Sequence, residues 1–306
     1  MKQNYNELPN GYLESINRGI RTVRNFRGGM SRRKLSRAEG IARLKTEIET
    51  ADAIVIGAGA GLSTAAGFIY SGERFEKYFG DFARRFGIRD MYSGGFYPFP
   101  DAETRWAWWA RHIYYNRYID PPKPVYKELL SLIQGKDYFV ITTNVDGQFI
   151  KAGFEPEKVF EVQGDYGLIQ CATACHPKRY SNESLVKQMV AQQKDCRIPS
   201  ALVPRCPVCG GPMEINVRKD LYFVEDDRWH LQADRYYAFL EKMLGKGKLV
   251  LLEYGVGYNT PTIIRFPFER MAASYPDVTL IRINKDYRDC QTPGISHFIG
   301  LETLFL

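Results

Sequence analysis

From residue 36 the apolar positions first follow a helical period. Ile41, Leu44 and Ile48 in AEGIARLKTEIETADA stand at the spacing of one buried helix face. Ser36 and Glu39 ahead of them form a capping-box signal. The period then gives way to unbroken apolar runs. AIVIGAGAGLSTAAGF begins with a strand, Ala53–Ile56, and continues as a glycine-rich turn and a small-residue helix start. YFVITTNVDG (138–147), KVFEVQGD (158–165), KLVLLEYGVG (248–257) and VTLIRINKD (278–286) repeat the form, each closing on a polar or glycine-rich tip. Val/Ile/Leu runs separated by helical segments predict an α/β protein with a parallel sheet covered on both faces. Ligands of such sheets gather outside the carboxyl ends of the strands, where these tips fall.

Two stretches interrupt the pattern. Residues 70–120 carry Trp106, Trp108, Trp109, Tyr114, Tyr115 and Tyr118 among Arg105, Arg111 and Arg117. Such interleaving suits base stacking, but a helical module with an aromatic core is the simpler expectation. Residues 166–215 hold five of the six cysteines. Cys171 and Cys175 form C-x3-C, and Cys206 and Cys209 form C-x2-C within CPVCGG. Two close pairs on separate knuckles predict one structural zinc held by four thiolates, which leaves no open coordination position for catalysis. Cys196 and His176 are spare donors, with His176 expected at the surface, and Cys290 reads as core. There is no internal repeat or low-complexity tract.

Composition narrows the class. Of 306 residues, 44% are hydrophobic and 25% charged, as in an ordinary globular protein. No apolar run reaches the roughly 18–20 residues of a membrane span, and the first residues lack a signal-peptide core. Sparse cysteines fit a reducing, cytoplasmic setting. The net charge of +7 invites a nucleic-acid partner, but its distribution removes that reading: residues 1–45 carry +8 and the rest −1. Arg18, Arg21 and Arg24, followed by Arg32, Arg33, Lys34 and Arg37, are a local basic segment. It is either a solvated face or a docking surface for an acidic partner.

Gly57, Gly59 and Gly61 follow the first strand and lead into a helix-like run, a context that lets a backbone approach a phosphate. No acidic residue closes a second strand about 20 positions later, so the dehydrogenase form of this fingerprint is incomplete.

Taken together, these motifs resemble those of the sirtuin family over residues 45–306. Gly59-Ala60-Gly61-Leu62-Ser63-Thr64 resembles the family's GAG-x-S loop over the NAD pyrophosphate, with Phe68 just beyond it. Thr142-Thr143-Asn144-Val145-Asp146-Gly147 resembles its T-Q-N-x-D-G motif, Gly255-Val256-Gly257 its late glycine turn, and Ile283-Asn284 the I-N pair at the adenosine end. The resemblance implies a Rossmann-like large domain (about 45–69, 121–165 and 216–306) and a small domain made of a helical module (70–120) and a zinc ribbon (166–215). Residues 1–44 then form a basic extension.

The departures carry as much as the matches. Where the family has G-I-P-D-F-R, this chain reads Gly67-Phe68-Ile69-Tyr70-Ser71-Gly72, with Arg74-Phe75 a few residues on. Thr143 replaces the motif's glutamine, and the peptide-binding F-G-E segment survives only as Phe223-Val224-Glu225. Most telling, the catalytic histidine of the family's E-x-H-G is Gln163 in Glu161-Val162-Gln163-Gly164. With the basic extension, this pattern resembles the class M sirtuins. That resemblance implies an NAD-dependent protein mono-ADP-ribosyltransferase acting on a lipoylated glycine-cleavage-H-like carrier protein, with a functional link to a macrodomain hydrolase. An amide cannot take the proton that an imidazole near pKa 6.5 takes. The acyl-transfer half of the deacylase reaction should therefore stall, while nicotinamide departure, which needs no base, remains. The resemblance implies that Asn144 orients the ribose and attacking group, that Asp146 binds the nicotinamide carboxamide, and that Gln163 pins the ribose hydroxyls. The alternatives are an NAD-dependent deacylase using another base and a non-catalytic NAD or ADP-ribose sensor.

Overall fold

The computed structural model describes residues 36–286 and 294–304. The basic segment before residue 36 and Cys290 lie outside the described residues. The chain enters through a helix at Arg37–Thr50. Its capping box forms as expected: Glu39 N–H donates to Ser36 Oγ at 3.2 Å, and Ser36 N–H to Glu39 Oε2 at 2.8 Å. Leu44 and Ile48 are buried, whereas Ile41 remains partly exposed.

Six strands form the main sheet: β1 (Ala53–Ala58), β2 (Asp137–Thr142), β3 (Val159–Glu161), β7 (Leu249–Tyr254), β8 (Val278–Ile283) and β9 (His297–Leu301). Their order is β3-β2-β1-β7-β8-β9, and the β1–β7, β7–β8 and β8–β9 pairs are parallel. Every residue of β1, β7 and β8 is buried, which explains why these runs lack polar alternation. The expected strand at 158–165 ends early. Gly164, at φ +101°, turns the chain and starts β4 (Gly164–Cys171) of a second sheet. That sheet is antiparallel, with β5 (Arg179–Ser181) and β6 (Met213–Val217) on either side of β4.

The chain divides into two compact units. One takes the described residues of Met1–Leu62, Ile133–Ile141 and Tyr237–Leu306; the other takes Ser63–Leu132 and Thr142–Tyr236. In the second unit, helices at Glu73–Phe86 and Ala102–Ile113 bury Phe75, Phe79, Phe82, Trp106 and Trp108. Phe79 and Phe82 lie 4.5 and 5.2 Å from Trp108, ring to ring. The aromatic stretch is thus core, and its arginines are engaged by carboxylates: Arg105 with Glu214, Arg111 with Asp81, and Arg117 with Asp165. A π-helical turn, Tyr114–Tyr118, follows the second helix and carries Arg117. No helix among the described residues is long and apolar enough to cross a membrane.

Candidate functional site

In the sheet unit, the tips of β1 and β7 form two glycine turns pressed together. Gly59 N–H donates to Tyr254 O at 3.0 Å and Gly61 N–H to Gly255 O at 2.9 Å. A Cβ on Gly59 would stand 2.8 Å from Gly255 O, and one on Gly61 would stand 2.6 Å from Gly255 Cα. Gly255 itself has φ +66°, and a Cβ there would meet Leu62 N at 2.3 Å. The two turns therefore approach too closely for a side chain at Gly59, Gly61 or Gly255. Asn284, at the end of β8, donates to Val256 O at 2.9 Å. Gly59, Ala60, Gly61, Gly255, Val256, Gly257 and Asn284 all belong to this unit.

The second unit gathers Ser63, Asn144 and Asp146 around a residue that the sequence reading passed over, Tyr126. Ser63 Oγ donates to Asp146 Oδ2 at 2.5 Å and lies 3.0 Å from the Tyr126 hydroxyl. That hydroxyl also reaches Asp146 Oδ2 at 3.4 Å and is hydrogen-bonded to the Asn144 side chain. Asp146 is 6% exposed. Burial pushes its carboxyl above the usual range, against the opposing pull of Ser63 and the Gln148 N–H. Thr143, between these residues, is partly exposed; Thr64 is exposed, and its carbonyl accepts from Gly67 N–H at 3.0 Å. Phe68 is buried beneath the Arg74 guanidinium, 5.2 Å from its ring centroid. Arg74 is anchored by donating to Tyr115 O at 2.6 Å.

Gln163 sits in the turn between β3 and β4. Its carbonyl accepts from Arg218 N–H at 2.9 Å, but its side-chain Oε1 is buried with no hydrogen-bond partner. A buried acceptor without a donor costs free energy. Two residues earlier, Glu161 is pushed up to about 8, first by desolvation and then by the charge of Asp165. No histidine makes up the difference. His112 is 1% exposed, bonded to the Tyr166 hydroxyl, and held down to about 3 by its burial. His230 faces Glu225, and His297 opens the edge strand β9.

No family model matches the chain. A protein ADP-ribosyltransferase of Staphylococcus aureus is 42% identical over 243 residues, covering 79% of this chain and 77% of that protein. The chain belongs to the sirtuin-like protein ADP-ribosyltransferase family. A probable bifunctional ADP-ribose hydrolase/ADP-ribosyltransferase of Fusarium oxysporum f. sp. cubense is 33% identical over 248 residues, or 77% of this chain. The match spans only 41% of that longer protein. Among solved structures, a Sir2 homologue in complex with NAD superposes with a TM-score of 0.50 at 19% identity, over 84% of this chain and 86% of that one. This likeness establishes the fold.

The sirtuin-like ADP-ribosyltransferase chain brings its four paired cysteines together as their spacing predicted. The sulfurs of Cys171, Cys175, Cys206 and Cys209 all lie within 4.8 Å of one another. Cys171 is 3.7 Å from Cys209, and Cys175 is 3.6 Å from Cys206. Sulfurs about 2.3 Å from a tetrahedral zinc lie about 3.8 Å apart, so the cluster fits that ion. Cys196 is buried elsewhere, in the core of the unit. His176 is not the surface residue expected: it is partly buried, with Nδ1 3.1 Å from Cys175 Sγ and Nε2 2.8 Å from the Tyr180 hydroxyl.

Arg117 is a further residue that sequence reading missed in this role. It donates to both oxygens of Asp165, at 2.7 and 3.1 Å, and packs so close to Gly147 that a Cβ there would meet its Cζ at 2.3 Å. The only sequence signal was a glycine after the N-V-D motif.

Proposed function

We propose that this chain is an NAD-dependent protein mono-ADP-ribosyltransferase that releases nicotinamide, and that its acceptor is a lipoylated glycine-cleavage-H-like carrier protein. The observation that carries the reading is Gln163: an amide with an unmet acceptor atom stands where deacylating relatives need a titrating imidazole. The named activity of the Staphylococcus aureus relative supports it, and the bifunctional name of the Fusarium relative supports a link to an ADP-ribose hydrolase, in our reading a macrodomain enzyme. The carrier protein rests on the sequence resemblance alone.

The glycine turns of the sheet unit, with Gly59, Ala60, Gly61, Gly255, Val256, Gly257 and Asn284, would hold the adenylate and pyrophosphate. Ser63, Thr64, Phe68, Thr143, Asn144, Asp146 and Gln163 would hold the nicotinamide ribose. Bound NAD supplies an electrophilic ribose carbon whose bond to nicotinamide breaks. Asp146, its hydrogen-bonding directions set by Ser63 and Tyr126, holds the carboxamide. Asn144 and Gln163 orient the ribose hydroxyls, so that the attacking group meets one face of the ring. Rate comes from orientation rather than from a proton acceptor. Zinc, held by Cys171, Cys175, Cys206 and Cys209, supplies structure to the second unit.

The test is mass spectrometry of proteins labelled with isotopic NAD by the purified enzyme, with and without the lipoylated carrier. Transfer of one ADP-ribose to the carrier, lost in Asn144→Ala, is the expected result. Robust formation of O-acyl-ADP-ribose from acyl peptides would replace this reading with deacylation, and tight NAD binding without label transfer would replace it with a sensor.

A further inference from the structure

Behind the late glycine turn, the sheet unit holds four charges that the reaction does not use, three of them buried and Glu269 partly so. Glu253 on β7 is in register with Arg282 on β8, and both are 0% exposed. Arg282 donates to both Glu253 oxygens at 2.7 and 2.9 Å and to Glu269 Oε1 at 2.7 Å. Arg265, 1% exposed, lies 3.5 Å from Glu253 and 3.9 Å from Glu269. The four charges cancel. A buried ion network of this kind seldom adds more stability than apolar side chains of the same volume, so its presence calls for another account.

The geometry supplies one at Val256. Arg265 Nη1 donates to the Val256 carbonyl at 3.2 Å, and Asn284 Nδ2 donates to the same oxygen at 2.9 Å. A carbonyl oxygen has two lone pairs, and both are taken. In a planar trans peptide the next N–H points the opposite way. That N–H belongs to Gly257, which is exposed, finds no acceptor among the described residues, and has nothing within 4 Å of its would-be Cβ. The Tyr258 ring covers Arg265 at 4.3 Å.

We propose that Glu253, Arg265, Glu269 and Arg282 are positioning residues for dinucleotide binding: through the Val256 carbonyl they lock the Val256–Gly257 peptide so that the Gly257 N–H is offered to an oxygen of the bound ligand. The inference rests on the reading that this turn holds NAD. It adds that the turn's orientation is set from inside, by Arg265 held on Glu253 and Glu269, which Arg282 also binds, rather than by the ligand.

The experiment measures ADP-ribose affinity by calorimetry, KM and kcat for NAD, and melting temperature, on zinc-loaded full chain. The variants are Arg265→Lys, which keeps the charge and loses the planar fork, and the charge-balanced pair Arg265→Met with Glu269→Gln. Both should weaken ADP-ribose binding and raise the KM for NAD by roughly tenfold, the scale of one lost hydrogen bond, with kcat within twofold. Asn284→Ala, which removes the other donor to Val256, should be less than additive with Arg265→Lys. Should the double variant fail to fold, Arg265→Lys alone carries the test. A lowered melting temperature with unchanged ADP-ribose affinity overturns the proposal and makes the network scaffolding. Absence of ADP-ribose binding by the unmodified chain overturns the parent reading instead, and is distinguishable because it precedes any substitution.

Discussion

The two units present their candidate binding groups by opposite means. In the sheet unit the groups offered to a ligand belong to the backbone: glycine turns packed too closely for a Cβ, with buried charges fixing one carbonyl from behind. In the second unit they are side chains, and two of these carboxyls, Asp146 and Glu161, have their pKa raised by burial. A backbone cradle recognises what every dinucleotide shares, phosphates and ribose, and tolerates little substitution. A side-chain cluster can be retuned one residue at a time. The departures from the common sirtuin pattern fall accordingly: Thr143, Gln163 and the Gly67–Gly72 stretch all lie in the second unit, while the glycine turns of the first keep the family's form.

The contrast can be broken most severely at the metal. Cys206→Ser, or chelation of the wild-type protein, should remove zinc and unfold the β4–β6 module, because structural zinc sites contribute about 10–16 kcal/mol of folding free energy. Metal analysis alongside thermal melting checks this, and a zinc-free protein with an unchanged transition would contradict it. Next in size, Asn144→Ala should lower ADP-ribosyl transfer by about a hundredfold or more through lost orientation, with zinc content and melting temperature unchanged. Full transfer activity in that variant would refute the role given to Asn144. Gly255→Ala attacks the other unit, and should destabilise the fold by about 2–4 kcal/mol: its φ is positive, and its Cβ would collide with Leu62 N. Denaturant unfolding measures the loss, and a change below about 1 kcal/mol would mean that the two turns are not the rigid half.

The smallest effect is on pH. Glu161 keeps its proton in the folded chain up to about 8, whereas in the unfolded chain it releases it near 4.5. The folded state therefore binds more protons between those values, and this contribution to stability, full at low pH, is lost as pH rises through them. Glu161→Gln should flatten the decline of stability across that window. An identical pH profile in the variant would show that Glu161 is not strained by its surroundings.

Much of this was legible in the chain because it is written locally. The sheet strands are continuous apolar runs, and the four-cysteine cluster is two short cysteine pairs. Gln163 stands out because its neighbours Glu161 and Gly164 identify the motif it alters. What escaped is written across distance. Tyr126 reaches Ser63 and Asp146 from an amphipathic helix where a tyrosine signals nothing, and Arg117 meets Asp165 only through tertiary packing. Glu253 and Arg282 are charges inside otherwise apolar runs, a visible anomaly, yet only their cross-strand register shows that they answer each other. His297–Leu301 is a fully formed strand in a stretch too short to announce itself.

The π-helical turn at Tyr114–Tyr118 has a bearing on which sequences this fold can accept. A π-turn is in effect one surplus residue within a helix, and each residue advances a helix by about 100°. Losing a single residue there would restore an ordinary helix and swing the Arg117 side chain round the axis, away from Asp165 and Gly147. Substitutions in this segment can be judged side chain by side chain, but its length cannot vary. A deletion that an alignment would score as a trivial gap would dismantle the contact that ties the helical module to the strand after Gln163.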